Sequence, residues 1–335
     1  MNDRWGREID YMRIAVTDRC NLRCSYCMPA EGIDLAQRSA LLSFEEYLEL
    51  ISQAVELGIK KIRITGGEPF VRKDIQTLLQ GISNLQGLDS WHITTNGVLL
   101  KPHLSLLKDL GIGSVNLSLD SLRADRFAKI TRRNQFHKVW ESLEGLLEMG
   151  ISTKLNVVVM SEFNADEILD FANLTKEKNL EVRFIEEMPF NGGSDKASVK
   201  FLNQSGIEEI LKSGIPDLIA LGRAPKDTTV KYKIPNSKGG IGIIPAYTRT
   251  ICGDCNRIRF TAKGELKNCL YDGGVFDFKT LLRDSSMSDL ERRIKIKSEL
   301  QRLVWKKPEN GFVAERDLEI ENDGNFLQSM SHIGG

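Results

Sequence analysis

The sequence predicts an α/β fold built on six parallel strands. Six short segments of alternating or continuous apolar character recur along the first half of the chain, and each but the last is followed by a helical pattern. Alternation of this kind implies a parallel sheet with right-handed crossovers. The polar or glycine-bearing segments DRCNLRCSYC, TGGEP, TTNG and SLDS each follow a strand, so they share the C-terminal edge of one sheet. That edge carries the active site in α/β folds. Six such units form either an open doubly wound sheet or a partial barrel.

The strand MRIAVT (12–17) ends just before a group of cysteines. Ser43 with Glu46 three residues on forms a capping box. The helix it opens carries Phe44, Tyr47, Leu48, Ile51, Ala54 and Val55 on one face and stops at Gly58. KIRIT (61–65), a helix over 74–83, WHITT (91–95), a helix over 102–110 and SVNLSL (114–119) follow. Helices over 123–130 and 137–149, KLNVVVM (154–160), a helix over 165–178 and EVRFIE (181–186) complete the series. Beyond 188 the pattern weakens. MPFNGGSDK reads as a loop, followed by a helix over 205–213, strands over 228–234 and 241–245, a hairpin around 257–268, and helices over 275–284 and 288–304. The expected division is a core of residues 1–190 and a C-terminal region of residues 191–335.

At 335 residues, with 41% hydrophobic and 27% charged, the chain buries a substantial core. A formal net charge of zero argues against a general nucleic-acid binder or a polybasic membrane binder. The N-terminal MNDRWGREIDYMR has no apolar h-region, and no apolar run is long enough to cross a bilayer, so a cytoplasmic protein is expected. The six cysteines fall in two groups of three. Disulfide frameworks suit short secreted chains; in a long chain without an export signal, clustered thiols bind metal or do redox chemistry.

Cys20, Cys24 and Cys27 are spaced Cx3Cx2C. Three soft thiolates on a tight loop hold three corners of a [4Fe–4S] cube and leave the fourth iron open to a small molecule. Structural zinc wants four ligands, and none of the four histidines lies in this loop. Cys252, Cys255 and Cys269 form a second group, Cx2Cx13C, again without a neighbouring histidine. An open iron is the physical reading there too, with zinc and a distant fourth ligand as the alternative. Arg257 and Arg259 follow Cys255; on a strand they share one face and suit an anionic or guanine-like ligand, or else they are solvated surface residues. Arg13, Arg63 and Lys154 fall in or beside strands, where inward-pointing bases are costly unless an anion pairs with them.

The first cysteine group, with Tyr26 inside it and Gly66-Gly67-Glu68-Pro69 after the second strand, resembles the radical S-adenosylmethionine (SAM) superfamily. The resemblance implies that the open iron binds SAM and that Tyr26, Gly67, Ser118 and Met188 line its pocket. Without it, Met188 reads equally well as a core filler. Both groups together resemble the GTP 3′,8-cyclase family of molybdenum cofactor biosynthesis. The likeness runs through VTDRCNLRCSYCMP, IRITGGEP, TTNG, NLSLDS, KLNVVV, RFIEEMP, CGDCNRIRF and the final Gly334-Gly335. It is loosest over 190–250, where IIPAYTRTIC replaces a serine-rich stretch. This resemblance implies a partial (β/α)6 TIM-like barrel with a smaller mixed C-terminal region carrying a second [4Fe–4S] cluster. It implies a 5′-deoxyadenosyl radical that removes the ribose C3′ hydrogen of GTP, followed by attack on C8 of the same guanine. Arg13, Arg63, Thr94, Lys154, Arg257 and Arg259 are the implied GTP contacts, and Gly334 and Gly335 an implied catalytic tail. The implied partners are GTP, an electron donor and a downstream cyclic pyranopterin monophosphate synthase, with no nucleic acid and no membrane. The rivals are a peptide maturase of the same superfamily and a non-catalytic iron–sulfur carrier.

Overall fold

The computed structural model describes residues 1–188 and 201–321. Strands β1 (Tyr11–Ala15), β2 (Lys61–Thr65), β3 (Ser90–Thr95), β4 (Ser114–Ser118), β5 (Thr153–Val159) and β6 (Glu181–Glu186) pair side by side in chain order, all parallel. Helices α1 (Phe44–Glu56), α2 (Ile75–Ser83), α3 (Leu104–Asp109), α4 (Ala124–Thr131), α5 (Phe136–Glu148) and α6 (Ile168–Glu177) make the crossovers. The capping box forms as the sequence requires: Glu46 N donates to Ser43 Oγ at 3.2 Å and Ser43 N to Glu46 Oε2 at 2.6 Å. Each reciprocal bond satisfies a donor that the helix leaves orphaned.

After α7 (Gln204–Gly214) come β7 (Ile219–Gly222), β8 (Val230–Lys233), β9 (Gly240–Ile244), β10 (Arg257–Phe260), β11 (Glu265–Lys267) and β12 (Phe276–Asp277). These strands extend the same sheet at both ends. β9 lies parallel beside β6 and β10 parallel beside β1, giving the order β12-β11-β10-β1-β2-β3-β4-β5-β6-β9-β8-β7. Helices α8 (Phe278–Leu282), α9 (Asp289–Trp305) and α10 (Gly311–Glu321) follow.

The helix expected over 275–284 is shorter, because Phe276 and Asp277 pair with β11 first. β7 and α10 were not expected. β7 is four exposed residues with no periodicity to read. α10 begins at a glycine that reads as a turn; Asn310 Oδ1 accepts from both Phe312 N and Val313 N at 3.0 Å and so caps the helix. Among the described residues, no helix is long and apolar enough to cross a membrane.

One face of the sheet is apolar. Met12, Ile14, Ile62, Ile64, Ile93, Val115, Leu117, Leu155, Val157, Val182, Phe184, Ile241, Ile243, Ile258 and Phe260 are buried in the core that includes the helix faces. The alternate positions are polar. Arg259, Arg13, Arg63 and His92 stand side by side across four strands, and Thr94, Asn116 and Lys154 across three. An ordinary barrel fills its interior with layers of branched apolar side chains. This one fills it with donors and cations, so its interior is built to receive a polar, anionic guest.

Candidate active site

Side chains from β10 and from β9, seven places apart in the sheet, line one cavity of about 630 Å³, so the sheet is curled around it. All six cysteines line it, with Arg13, Tyr26, Arg63, Gly67, Thr94, Ser118, Lys154, Met188, Arg257 and Arg259. Of the motif residues, Glu68 and Pro69 do not line it, but every described residue expected to touch a cluster, SAM or GTP does; Gly334 and Gly335 lie outside the described residues.

The two cysteine groups sit at opposite mouths of the cavity. Cys20 follows the end of β1, whereas Cys255 precedes the start of β10, its parallel neighbour. A five-residue strand spans about 16 Å, which sets the scale of their separation. Cys269 follows β11, which runs antiparallel to β10, and so returns to the Cys255 end.

At the first mouth the loop is tightly turned: Cys27 N and Met28 N both donate to Cys24 O, at 3.0 and 3.1 Å. It docks on the end of α4, where Arg23 N donates to Thr131 O at 2.9 Å and Ser25 N to Ile130 O at 3.0 Å. Cys20 Sγ accepts from Leu22 N at 3.4 Å and Asn96 Nδ2 at 3.6 Å. Burial pushes the Cys24 thiol well up, as do the neighbouring Asp120, Cys27 and Cys20, and burial raises Cys20 too. The Tyr26 hydroxyl donates to Asp120 Oδ2 at 2.8 Å.

The glycines of GGEP have a closer neighbour than any ligand. A Cβ on Gly66 would meet Thr17 O at 2.6 Å, and one on Gly67 would meet Arg19 O at 2.2 Å. Gly67 N donates to Thr17 O at 2.7 Å and Glu68 N to Arg19 O at 2.8 Å. The turn is thus clamped backbone to backbone onto the segment leading to Cys20. Glu68 is fully buried and accepts from Thr95 Oγ1 at 2.7 Å, Asn96 N at 2.7 Å and Phe70 N at 3.1 Å. Burial nevertheless carries its carboxyl from 4.5 up to about 7. A raised carboxyl binds its proton more tightly in the folded chain, so its stabilisation is complete below pH 4.5 and lost as pH rises through about 7. Glu68→Gln is expected to flatten the decline in stability between pH 5 and pH 8, seen as a smaller shift of the urea midpoint than in the parent.

At the second mouth, Cys252 N donates to Arg249 O at 3.2 Å, Cys255 N to Cys252 O at 3.2 Å, and Cys269 N to Asp272 Oδ2 at 2.7 Å. Arg7, ion-paired to Asp3 at 2.6 Å, donates to Cys252 O at 3.1 Å and to the carbonyls of Pro308 and Glu309 at 2.7 and 2.6 Å. Burial raises the Cys269 thiol as at the first mouth, but Cys255 behaves in the opposite way. Burial would raise Cys255, but Lys307, Arg257, the Arg257 amide and Arg259 outweigh it and bring the thiol down to about 6. Met188 faces the cavity rather than the apolar core, and its Sδ accepts from Tyr271 Oη at 3.4 Å.

Between the mouths the wall is basic. Arg13, Lys61, Arg63, Lys154, Arg183, Lys226, Arg249, Arg257 and Arg259 line the cavity against three carboxylates, Asp120, Glu186 and Asp227. Burial and then repulsion by Arg259 hold Arg13 well below its usual value. A guanidinium does not give up its proton in a protein, so an anion in the cavity would add to the relief that Tyr11 gives it. Burial and Arg183 bring Lys154 to about 8. Burial would raise Tyr11, but Arg63, Arg13 and Lys61 overcome it and lower the phenol to about 7. Lys61, Arg183, Asn116 and Asn156 were not singled out from the sequence. The signal was present: each is a polar residue at the alternate position of a strand whose other face is apolar.

The donor set fits the iron–sulfur and nucleotide chemistry. Thr94 Oγ1, Asn116 Oδ1 and Asn156 Oδ1 are buried without a protein partner. Among the described residues no three His, Cys, Asp or Glu side chains converge as a mononuclear metal site; a cubane takes one thiolate per iron and asks for no such convergence.

Comparison with known proteins agrees with this geometry. The model of the Radical SAM superfamily matches residues 14–175, and that of Molybdenum Cofactor Synthesis C matches residues 180–313. A GTP 3′,8-cyclase of Desulforamulus reducens is 43% identical over 345 residues, covering 100% of both chains. Molybdenum cofactor biosynthesis protein 1 of Drosophila melanogaster is 42% identical over 289 residues, 86% of this chain; the chain covers 51% of that longer protein. Among solved structures, Streptococcus suis SuiB bound to the precursor peptide SuiA superposes with a TM-score of 0.61 at 16% identity, over 90% of this chain and 66% of that one, a likeness of fold. A relative this similar along its whole length, matching both mouths of the cavity and the sheet between them, places the chain in the GTP 3′,8-cyclase family of the radical SAM superfamily.

Proposed function

We infer that the protein cyclises GTP to 3′,8-cyclo-7,8-dihydroguanosine 5′-triphosphate, an early step of molybdenum cofactor biosynthesis. The observation that carries this reading is the single cavity with a cysteine triplet at each mouth and a basic wall between them. Cys20, Cys24 and Cys27 would hold the cluster that binds SAM, and Cys252, Cys255 and Cys269 a second cluster that binds the guanine. When bound and reduced, the first cluster and SAM supply a carbon-centred radical able to take the C3′ hydrogen of the ribose.

The chain's own contribution is binding, orientation and exclusion of water. Arg13, Arg63, Lys154, Arg257 and Arg259 neutralise the triphosphate, which relieves the repulsion that Arg259 and Arg63 exert on Arg13 and Arg257 on Arg259. Thr94, on the same face of the wall, offers its buried hydroxyl to the nucleotide. Tyr26, Gly67, Ser118 and Met188 would line the SAM pocket; Asp120 accepts from Tyr26, and Met188, after the end of β6, reaches across to Tyr271 of the second group. The reading calls for an electron donor as a partner and for a cyclic pyranopterin monophosphate synthase that would take the product. A wall this basic favours a polyanion over the peptide substrate of a maturase.

Anaerobic SAM cleavage that depends on added GTP tests the reading; cleavage indifferent to GTP would refute it. Arg257→Ala and Arg259→Ala are each expected to weaken GTP roughly 10- to 100-fold, the worth of a charge-assisted pair of about 1.5–3 kcal/mol. SAM affinity should be nearly unchanged, as equilibrium binding of the two ligands would show.

A further inference from the structure

Lys307 is 2% exposed. Its Nζ donates to Arg257 O at 2.9 Å and to Asn268 O, and among the described residues no carboxylate forms an ion pair with it. The two carbonyls belong to the residue two after Cys255 and to the residue just before Cys269. The nearby Asp272 carboxylate is engaged elsewhere: it accepts from Cys269 N at 2.7 Å and Gly274 N at 3.0 Å and stands 3.8 Å from Lys267 Nζ. A buried ammonium without a counter-ion costs several kcal/mol. Asp272 lies within reach of its charge, and the remaining negative charge beside it is that of the cysteine group, whose flanking carbonyls the ammonium holds. Lys307 does not line the cavity, so it is placed behind the thiols rather than in front of the substrate.

We propose that Lys307 is a positioning residue for the second cysteine site: a fixed cationic counter-charge that ties down the backbone beside two ligands and raises the reduction potential of the cluster they hold. The proposal rests on the reading that this triplet carries a cluster. A cation fixed behind the thiolates offsets the negative charge that they bring, and favours the more reduced state. The same charge tightens retention of the anionic cluster.

The test uses the full chain, anaerobically reconstituted, with Lys307→Gln, which keeps a donor but loses the charge, and Lys307→Arg, which keeps the charge. Iron content, far-UV circular dichroism and an EPR-monitored redox titration are measured on each, with the first cluster as internal reference. Lys307→Gln is expected to move the second cluster's midpoint to a more negative potential and leave the first unmoved, while Lys307→Arg stays near the parent. Loss of the second cluster in Lys307→Gln but not in Lys307→Arg, with the fold intact, would equally support a role for charge. Unchanged midpoints in a fully loaded Lys307→Gln would overturn the proposal, as would equal loss of the cluster in both variants. Should Lys307→Gln not fold, Lys307→Met carries the same measurement. Parent protein that binds about four rather than about eight irons defeats the two-cluster reading and the proposal with it, whereas unchanged midpoints in protein with about eight irons defeat the proposal alone.

Discussion

Alanine at Cys20, Cys24 or Cys27 is expected to abolish SAM cleavage altogether, while alanine at Cys252, Cys255 or Cys269 abolishes cyclisation and spares more of the SAM cleavage. The two groups stand at opposite ends of the strands, separated by the basic wall, and share no loop. The first is braced by GGEP, α4 and Asn96, and the second by Arg7, Asp272 and Lys307. Losing a ligand from one leaves the supports of the other intact, so each set should cost about four of about eight irons. Iron analysis, deoxyadenosine formation and nucleotide product, measured on all six variants, check this. Equal loss of SAM cleavage in both sets would show that the two ends act as one site.

Gly67→Ala is expected to remove the first cluster and leave the second. The added methyl falls 2.2 Å from Arg19 O, inside any contact that a real Cβ makes, and the obstacle is backbone already hydrogen-bonded to the turn. Relief requires the 17–20 segment to retreat, which carries Cys20 away from Cys24 and Cys27. Overpacking of this kind costs about 1–3 kcal/mol. Gly253→Ala is the matched control: it too lies within a cysteine group, yet its Cβ meets nothing within 4 Å. Iron content and thermal stability of the two variants separate the outcomes, and a fully loaded Gly67→Ala would refute the clamp.

The first six strands were legible because short apolar segments, alternating or continuous, recur between helical patterns. KIRIT and EVRFIE form strands over the same residues that the pattern delimits, with apolar residues on one face and Arg63 or Arg183 on the other. That polar alternation also foretold the cavity, although Lys61 and Arg183 were not drawn from it. Partners of strands were not legible. RIRF alternates like KIRIT, and nothing local says that it lies beside β1 while GIGII lies beside β6. Phe276 and Asp277 joined a strand because β11 was there to pair with them, a tertiary decision that outweighs helical preference. The GGEP glycines were tied to a SAM pocket by resemblance alone; that they pack on Thr17 O and Arg19 O is a tertiary contact that the sequence does not show.

The place of β1 between β2 and β10 also orders events on the ribosome. Tyr11 pairs with Lys61 on one side and with Arg257 on the other. At about 5–20 residues per second, the second edge waits on the order of 10–50 s for its neighbour to be made. Through that interval a strand edge stands open, a template for mispairing that a finished sheet conceals. The loop of Cys20, Cys24 and Cys27 has its supports once α4 has emerged, whereas the second triplet must wait for Cys269 and then for Lys307. The supports of the second triplet are therefore complete only near the end of synthesis, well after those of the first.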